Sequence, residues 1–151
     1  MENNKNIIDP EKIHLEFIEE ISVSMGNIID KNIANLSIST DIAHISGYNM
    51  ADKKYLLGLK VVFTINHKDK PIEFKFRYNF HYRIDNYDEM YSLKEDGTPF
   101  FSKIFVATLA GISYSTLRGI IFEKTSNSSW VTLTLPVINP SLVLDSWIDQ
   151  N

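Results

Sequence analysis

The sequence predicts an α+β domain: a four-stranded antiparallel sheet followed by a long packing helix and a short C-terminal helix. Three observations predict it. Between Ile72 and Ile84 the residues Ile72, Phe74, Phe76, Tyr78, Phe80, Tyr82 and Ile84 alternate with Glu73, Lys75, Arg77, Asn79, His81 and Arg83. Seven apolar positions at a repeat of two fit a strand and exclude a helix stripe. The extended patterns all precede the helical ones, an order that belongs to α+β domains rather than alternating α/β ones. Finally, Ile104 to Leu117 carries no charge within a longer helical pattern, as a helix packed against a sheet requires.

Taken in order, residues 1–12 read as a flexible, polar N-terminal arm, and residues 13–151 as a single domain. The first strand begins at Ile13 and places Ile13, Leu15, Phe17, Ile21, Val23 and Met25 on one face. Glu19 interrupts that face, so a bend or bulge is expected near Glu19–Glu20. A loop spans Gly26 to Asn35. The second strand sets Leu36, Ile38, Thr40 and Ile42 against Ser37, Ser39 and Asp41, and Ser46-Gly47-Tyr48-Asn49 reads as a turn. Tyr55, Leu57, Leu59, Val61, Phe63 and Ile65 form one face of the third strand. A turn at Asn66 to Pro71 makes strands three and four a hairpin. Residues 85–99 are acidic and turn-rich.

The long helix is expected from about Phe100 to Glu123, with Phe101, Ile104, Phe105, Leu109, Ile112 and Ile120 on one broad arc. Beside it Ala107, Gly111, Ser115 and Gly119 recur every four residues and form a smooth seam. A glycine inside a helix costs about 1 kcal/mol against alanine, so two of them imply close packing. The seam either meets the chain's own sheet or forms an oligomer interface between helices of two subunits. After the loop Ser126 to Ser129, Trp130 to Leu135 reads as extended, and Ser141 to Ile148 as the terminal helix.

Composition narrows the function. A chain of 151 residues buries roughly 70% of its unfolded surface, enough for a core without metal or disulfide. There is no cysteine, which excludes disulfides and thiolate metal sites. The net charge of -4 argues against non-specific nucleic-acid binding, because neutralising phosphates needs a basic footprint. The first ten residues lack the basic flank and apolar run of a signal peptide, so the cytoplasm is the expected compartment. The uncharged run from Ile104 to Leu117 is 14 residues, short of the roughly 20 that span a bilayer, so no membrane insertion is expected.

Catalytic chemistry finds no support. His14, His44, His67 and His81 show no metal-ligand spacing. Gly111-Ile112-Ser113-Tyr114-Ser115 partly mimics a nucleophile elbow but lacks its last glycine and lies within the expected helix. No phosphate-cradling loop occurs. The adjacent pairs Glu19-Glu20 and Asp88-Glu89 read as solvated. No catalytic residue, metal or cofactor is assigned. Lys75, Arg77, His81 and Arg83 form a basic side of strand four that could attract an acidic partner, although a solvated face is the commoner meaning of such a row.

Three stretches resemble the SecB family. "IFVATLAGISYSTLRGIIF" ends in Arg118-Gly119 and an aromatic, as the family's long helix does. "VTLTLPVINPSLVL" is similar to the family's segment before its last helix, through Leu135, Pro136, Val137 and Asn139. "HLEFIEEISVSMGN" resembles the first strand, with Glu20-Ile21-Ser22 in register. The resemblance covers roughly residues 13–148. It implies a non-enzymatic, ATP-independent holdase that carries unfolded polypeptide clients in apolar grooves and assembles as a homotetramer, a dimer of dimers. It also implies partner docking through Glu20, which matches an acidic position of the family's surface for the SecA motor. Lys75 and Arg77 reverse the charge of that surface, which argues against SecA docking. Family members that guard antitoxins or other dedicated partners offer another role.

The client-binding candidates are the apolar side chains of the sheet–helix crevice: Phe74, Phe76, Tyr78, Phe105 and Leu109. An alternative is a small apolar-ligand carrier that uses the aromatic sheet face.

Overall fold

The computed structural model describes residues 8–26, 37–67, 70–127 and 131–144. Four long strands form its main sheet: β1 (Ile13–Ser24), β2 (Ser37–Asn49), β3 (Lys54–His67) and β4 (Lys70–Ile84). A small hairpin, β5 (Tyr91–Leu93) and β6 (Pro99–Phe101), precedes helix α1 (Lys103–Ser126), and the short α2 (Pro140–Val143) comes last. All neighbours in the main sheet are antiparallel, in the order β1-β4-β3-β2. The expected α+β architecture is therefore present, with the most apolar strands, β3 and β4, at its centre.

The alternation in those strands decides which face is buried. Leu57, Leu59, Val61, Ile65, Phe74, Phe76, Phe80, Tyr82 and Ile84 are each 0% exposed, and all lie on the face that α1 covers. Burying one large apolar side chain contributes about 1.5–3 kcal/mol, so this double row anchors the fold. From α1 come Phe105, Leu109, Ala110, Leu117 and Ile121, all fully buried. Leu133 and Leu135, in the segment leading to α2, complete the layer.

Several boundaries differ from expectation. Ser46 to Asn49 belongs to β2 rather than to a turn, because Ser46, Gly47 and Tyr48 pair in unbroken register with Leu57, Leu56 and Tyr55. The turn lies at 50–53 instead and requires a positive φ of 56° at Lys53. Asn66 and Pro71 pair with each other, so β3 and β4 run further than the sequence suggested. Pro71 is tolerated because β1 reaches only Lys75, leaving that end of β4 one neighbour. The stretch 85–99 holds a single 3-10 turn at Tyr87–Glu89, with Tyr87 fully buried, and then the β5–β6 hairpin.

Helix α1 starts three residues later and ends three later than expected. Ser102 caps it, its side-chain oxygen accepting the Phe105 backbone N–H at 3.2 Å. Phe100 and Phe101 thereby fall in β6. At the other end the Thr125 hydroxyl donates to the Ile121 carbonyl and accepts the Leu133 backbone N–H at 2.9 Å, fastening the following segment to the helix. Residues 131–139 carry no regular secondary structure and join no sheet. The C-terminal helix is described from Pro140 to Val143; the rest of its expected span lies outside the described residues. Within the expected N-terminal arm, Pro10–Lys12 form a 3-10 turn capped by Asp9, and Ile8 packs against the core.

Candidate polypeptide-binding surfaces

The edge strand β1 departs most from its sequence pattern. Its register against β4 shifts twice, between Leu15 and Phe17 and between Glu20 and Ser22. Each shift inserts one residue and reverses the faces beyond it. One irregularity thus falls beside the expected Glu19–Glu20 position, and the other lies closer to the N-terminus. Between the two, Ile18 and Glu20 pair with Phe80 and Tyr78 and face α1, whereas Phe17 and Glu19 face outwards. Phe17 therefore leaves the apolar face it was expected to share and stacks on His81, with ring centroids 4.0 Å apart.

Helix α1 packs over β3 and β4, and α2 reaches β2. The helix side of β1 is left thinly covered: Leu15 is 36% exposed and Ile18 38%. Ile21, at the second bulge, and Phe17 on the outer face are also exposed. An edge strand already presents unpaired backbone groups. This one adds apolar side chains on both faces, whereas edges are commonly protected by charge.

Of the five client-binding candidates, Tyr78 and Phe76 stand opposite Glu20 and Val23 of β1, Phe74 lies beyond the β1 pairing, and Phe105 and Leu109 come from α1; Leu15 and Ile18 themselves stand opposite Tyr82 and Phe80. Phe74, Phe76, Phe105 and Leu109 are wholly buried, and Tyr78 nearly so. They form the wall between sheet and helix rather than a surface. The aromatic face is closed in the same way by α1, and Phe63 meets Phe76 edge to face.

Glu20 sits at the rim of the crevice between β1 and α1. Its carboxylate accepts the Tyr78 hydroxyl at 2.7 Å and an N–H of Lys124 from α1 at 3.2 Å. These bonds, the tyrosine first, hold Glu20 below the usual carboxylate range. Burial and the facing carboxylate push the Tyr78 hydroxyl well above its ordinary value. The bulge after Glu20 also separates it from Lys75 and Arg77, which lie on the opposite face. The three do not form one docking surface.

The small-residue seam points away from the sheet, so the reading in which it packs on the chain's own sheet does not hold. The sheet side of α1 belongs to Phe105, Leu109, Ser113 and Leu117, one turn-face around. Ala107, Gly111 and Ser115 line an open groove of about 670 Å³ with Ile104, Ile112 and Pro140. Gly111 is matched to its own chain: a Cβ there would stand 3.2 Å from Pro140 Cγ. Gly119, beyond it, has nothing within 4 Å. Ile104, Ile112 and Phe122 flank the seam and are exposed.

By length and composition alone α1 would suffice to cross a membrane, but its sheet side is packed as a core helix. Ser113 lies buried inside α1, 2.7 Å from the Tyr82 hydroxyl, away from any strand-to-helix elbow. Among the described residues no group of three or more potential metal ligands comes together. Sequence reasoning missed the exposure of Leu15 and Ile18, because it follows from where α1 lies: the helix packs over β3 and β4 and leaves β1 thinly covered, which no residue of β1 announces.

No protein-family model matches the sequence, and no curated protein matches it. Solved structures do match. One is the Mycobacterium tuberculosis SecB-like chaperone Rv1957, in complex with a ChAD peptide from the HigA1 antitoxin. The TM-score is 0.61 at 13% identity, over 85% of this chain and 92% of that one. Another is a Streptococcus agalactiae protein of unknown function, with a TM-score of 0.32 at 13% identity over 84% of this chain and 94% of that one. The fold of this chain is thus SecB-like.

Proposed function

We propose that this protein is a SecB-like holdase that binds unfolded or partly folded polypeptide without ATP and without chemistry of its own. The observation that carries the reading is the apolar surplus on two definite elements, β1 and the outer side of α1. Exposed apolar side chains scattered singly need no explanation, but contiguous rows on a strand edge and a helix face are association surfaces. The SecB-like fold supports the same conclusion, as does the peptide bound by the Mycobacterium tuberculosis protein of that fold.

Clients lie along the helix side of β1, against Leu15 and Ile18, which stand opposite the buried Tyr82 and Phe80; the candidates Phe74, Phe76, Tyr78, Phe105 and Leu109 support the strip from the core rather than touching the client. An extended segment can add main-chain hydrogen bonds to the free edge while its side chains bury apolar area at about 25 cal/mol per Å². Neither interaction requires a particular client sequence. Export substrates and a dedicated partner such as an antitoxin both fit that chemistry. The open half of the seam, Ser115 and Gly119, admits a second helix, and self-association there builds the homotetramer; the cytoplasm is its place of work.

Suppression of aggregation of a chemically denatured client, at stoichiometric ratio and without nucleotide, tests the proposal. Full-length protein should keep the client soluble and co-elute with it on gel filtration. Leu15→Asp with Ile18→Asp should abolish both effects while leaving the far-UV spectrum intact. If the unmodified protein neither suppresses aggregation nor co-elutes with the client, the holdase reading is overturned.

A further inference from the structure

The outer face of the sheet carries alternating charge, and nearly all of it is balanced within the chain. Lys75 pairs with Glu73 at 2.9 Å, and His81 with Glu19 at 2.9 Å. Arg83 meets Glu16 at 3.5 Å and also Asp85, and Lys54 reaches Glu16 at 3.1 Å. Of the basic row read in β4, Lys75 and Arg83 are therefore neutralised, and His81 is hydrogen-bonded to Glu19. Arg77 is the exception, and directly opposite it on β3 stands Lys60.

Neither side chain has an ion-pair or hydrogen-bonding partner among the described residues. The Arg77 Nε–H is enclosed without an acceptor. On the far side Arg77 faces Ser22 of β1, because the bulge has turned Glu20 to the helix side. Lys60 faces Ala43 of β2; Asp41, one diagonal step away, makes no ion pair with it. Two like charges directly opposite each other on neighbouring strands are unfavourable. Here they occupy the middle of a face on which the other described Lys and Arg side chains, Lys54, Lys75 and Arg83, each meet a carboxylate.

We infer that Lys60 and Arg77 form a docking point for an acidic segment of a partner polypeptide, on the sheet face opposite the helix. A guanidinium beside an ammonium can take one carboxylate in bidentate fashion and a second as a point charge. Charge complementarity selects this occupant over a nucleic acid. Glu73, Glu19 and Asp41 surround the pair on the same face, and the chain carries a net charge of -4. A continuous polyphosphate would run over those carboxylates, whereas a short acidic segment meets only the two cations. The site lies apart from the client strip and does not depend on the holdase reading.

Fluorescence anisotropy of a fluorescein-labelled peptide with two adjacent glutamates flanked by glycine and serine, with the full chain at low salt, tests the inference. Binding should weaken as salt rises. Lys60→Gln with Arg77→Gln should lose about tenfold or more in affinity. Lys75→Gln, which removes a cation already paired, should stay within about twofold of wild type. The double variant should melt no lower than wild type, since it relieves a repulsion. No binding by wild type, unchanged affinity in the double variant, or a lowered melting temperature would overturn the assignment. Displacement of the peptide by oligothymidylate at equal concentration would assign the patch to nucleic acid instead. Aggregation suppression by the double variant should match wild type.

Discussion

At the scale of single residues, Lys53 and Glu20 show how local geometry is set by surroundings. Lys53 adopts a left-handed φ of 56°, which side chains with a Cβ enter at a cost of about 1–2 kcal/mol. Its backbone carbonyl accepts the Ile84 N–H at 3.0 Å, so the turn is held from outside. Lys53→Gly should therefore raise the melting temperature, offset by losing the exposed Lys53–Asp88 pair, worth about 0–1 kcal/mol. Glu20 has a folded pKa lowered from 4.5, first by the Tyr78 hydroxyl and then by Lys124. A depressed carboxylate adds stability that is fully present above its unfolded pKa and is lost as pH falls through the folded one. Acid unfolding should thus steepen below about pH 4.5, and Glu20→Gln should flatten that limb in chemical-denaturation curves taken across pH. Tyr82 is the alkaline counterpart. Burial, partly offset by its bond to Ser113, pushes its hydroxyl up to about 12. The stability it contributes is whole below pH 10 and is lost as pH rises through about 12; Tyr82→Phe should flatten the alkaline limb.

Elements add what residues cannot. On α1 the four small residues share one line, yet their environments differ along it. Gly111 receives Pro140, and Gly119 stands open. A side chain at Gly111 would displace the 139–141 segment as well as any second helix, so Gly119→Leu is the cleaner probe of the interface. Light scattering should show a smaller species for Gly119→Leu, with unchanged helix content; an unchanged mass would take the seam out of the interface. On β1 two bulges do comparable work. They send Phe17 outwards and Glu20 inwards, so the strand ends with apolar side chains on both faces and no carboxylate opposite Arg77.

For the whole molecule, the double row on β3 and β4 supplies stability and the periphery supplies association. A truncation in the centre, such as Phe76→Ala, should cost roughly 3–5 kcal/mol in urea unfolding, because it empties a fully enclosed site. Leu15→Ala should cost far less, since Leu15 keeps 36% of its surface in solvent, yet it should weaken client holding more than Phe76→Ala does under conditions where both remain folded. That separation is the mark of a surface whose apolar character is kept for binding rather than for folding. Phe74, Phe76, Tyr78, Phe105 and Leu109, all buried, serve folding, whereas Leu15 and Ile18, partly exposed, serve binding.

By itself the amino-acid order determined the strands β3 and β4, the face each buries, the long helix and the α+β class, because side-chain direction follows a period of two or 3.6 whatever the rest of the chain does. Tertiary structure alone decided the register of β1, the direction of the small-residue seam, and the pairing that leaves Lys60 and Arg77 unmatched. A bulge costs the strand only one residue: Glu19 breaking the apolar face marked the one beside Glu20, but no such break marks the one between Leu15 and Phe17. Which cations find a carboxylate depends on residues from other strands, as with Glu16 on β1 serving both Lys54 of β3 and Arg83 of β4. Those meetings exist only once the sheet has closed its register.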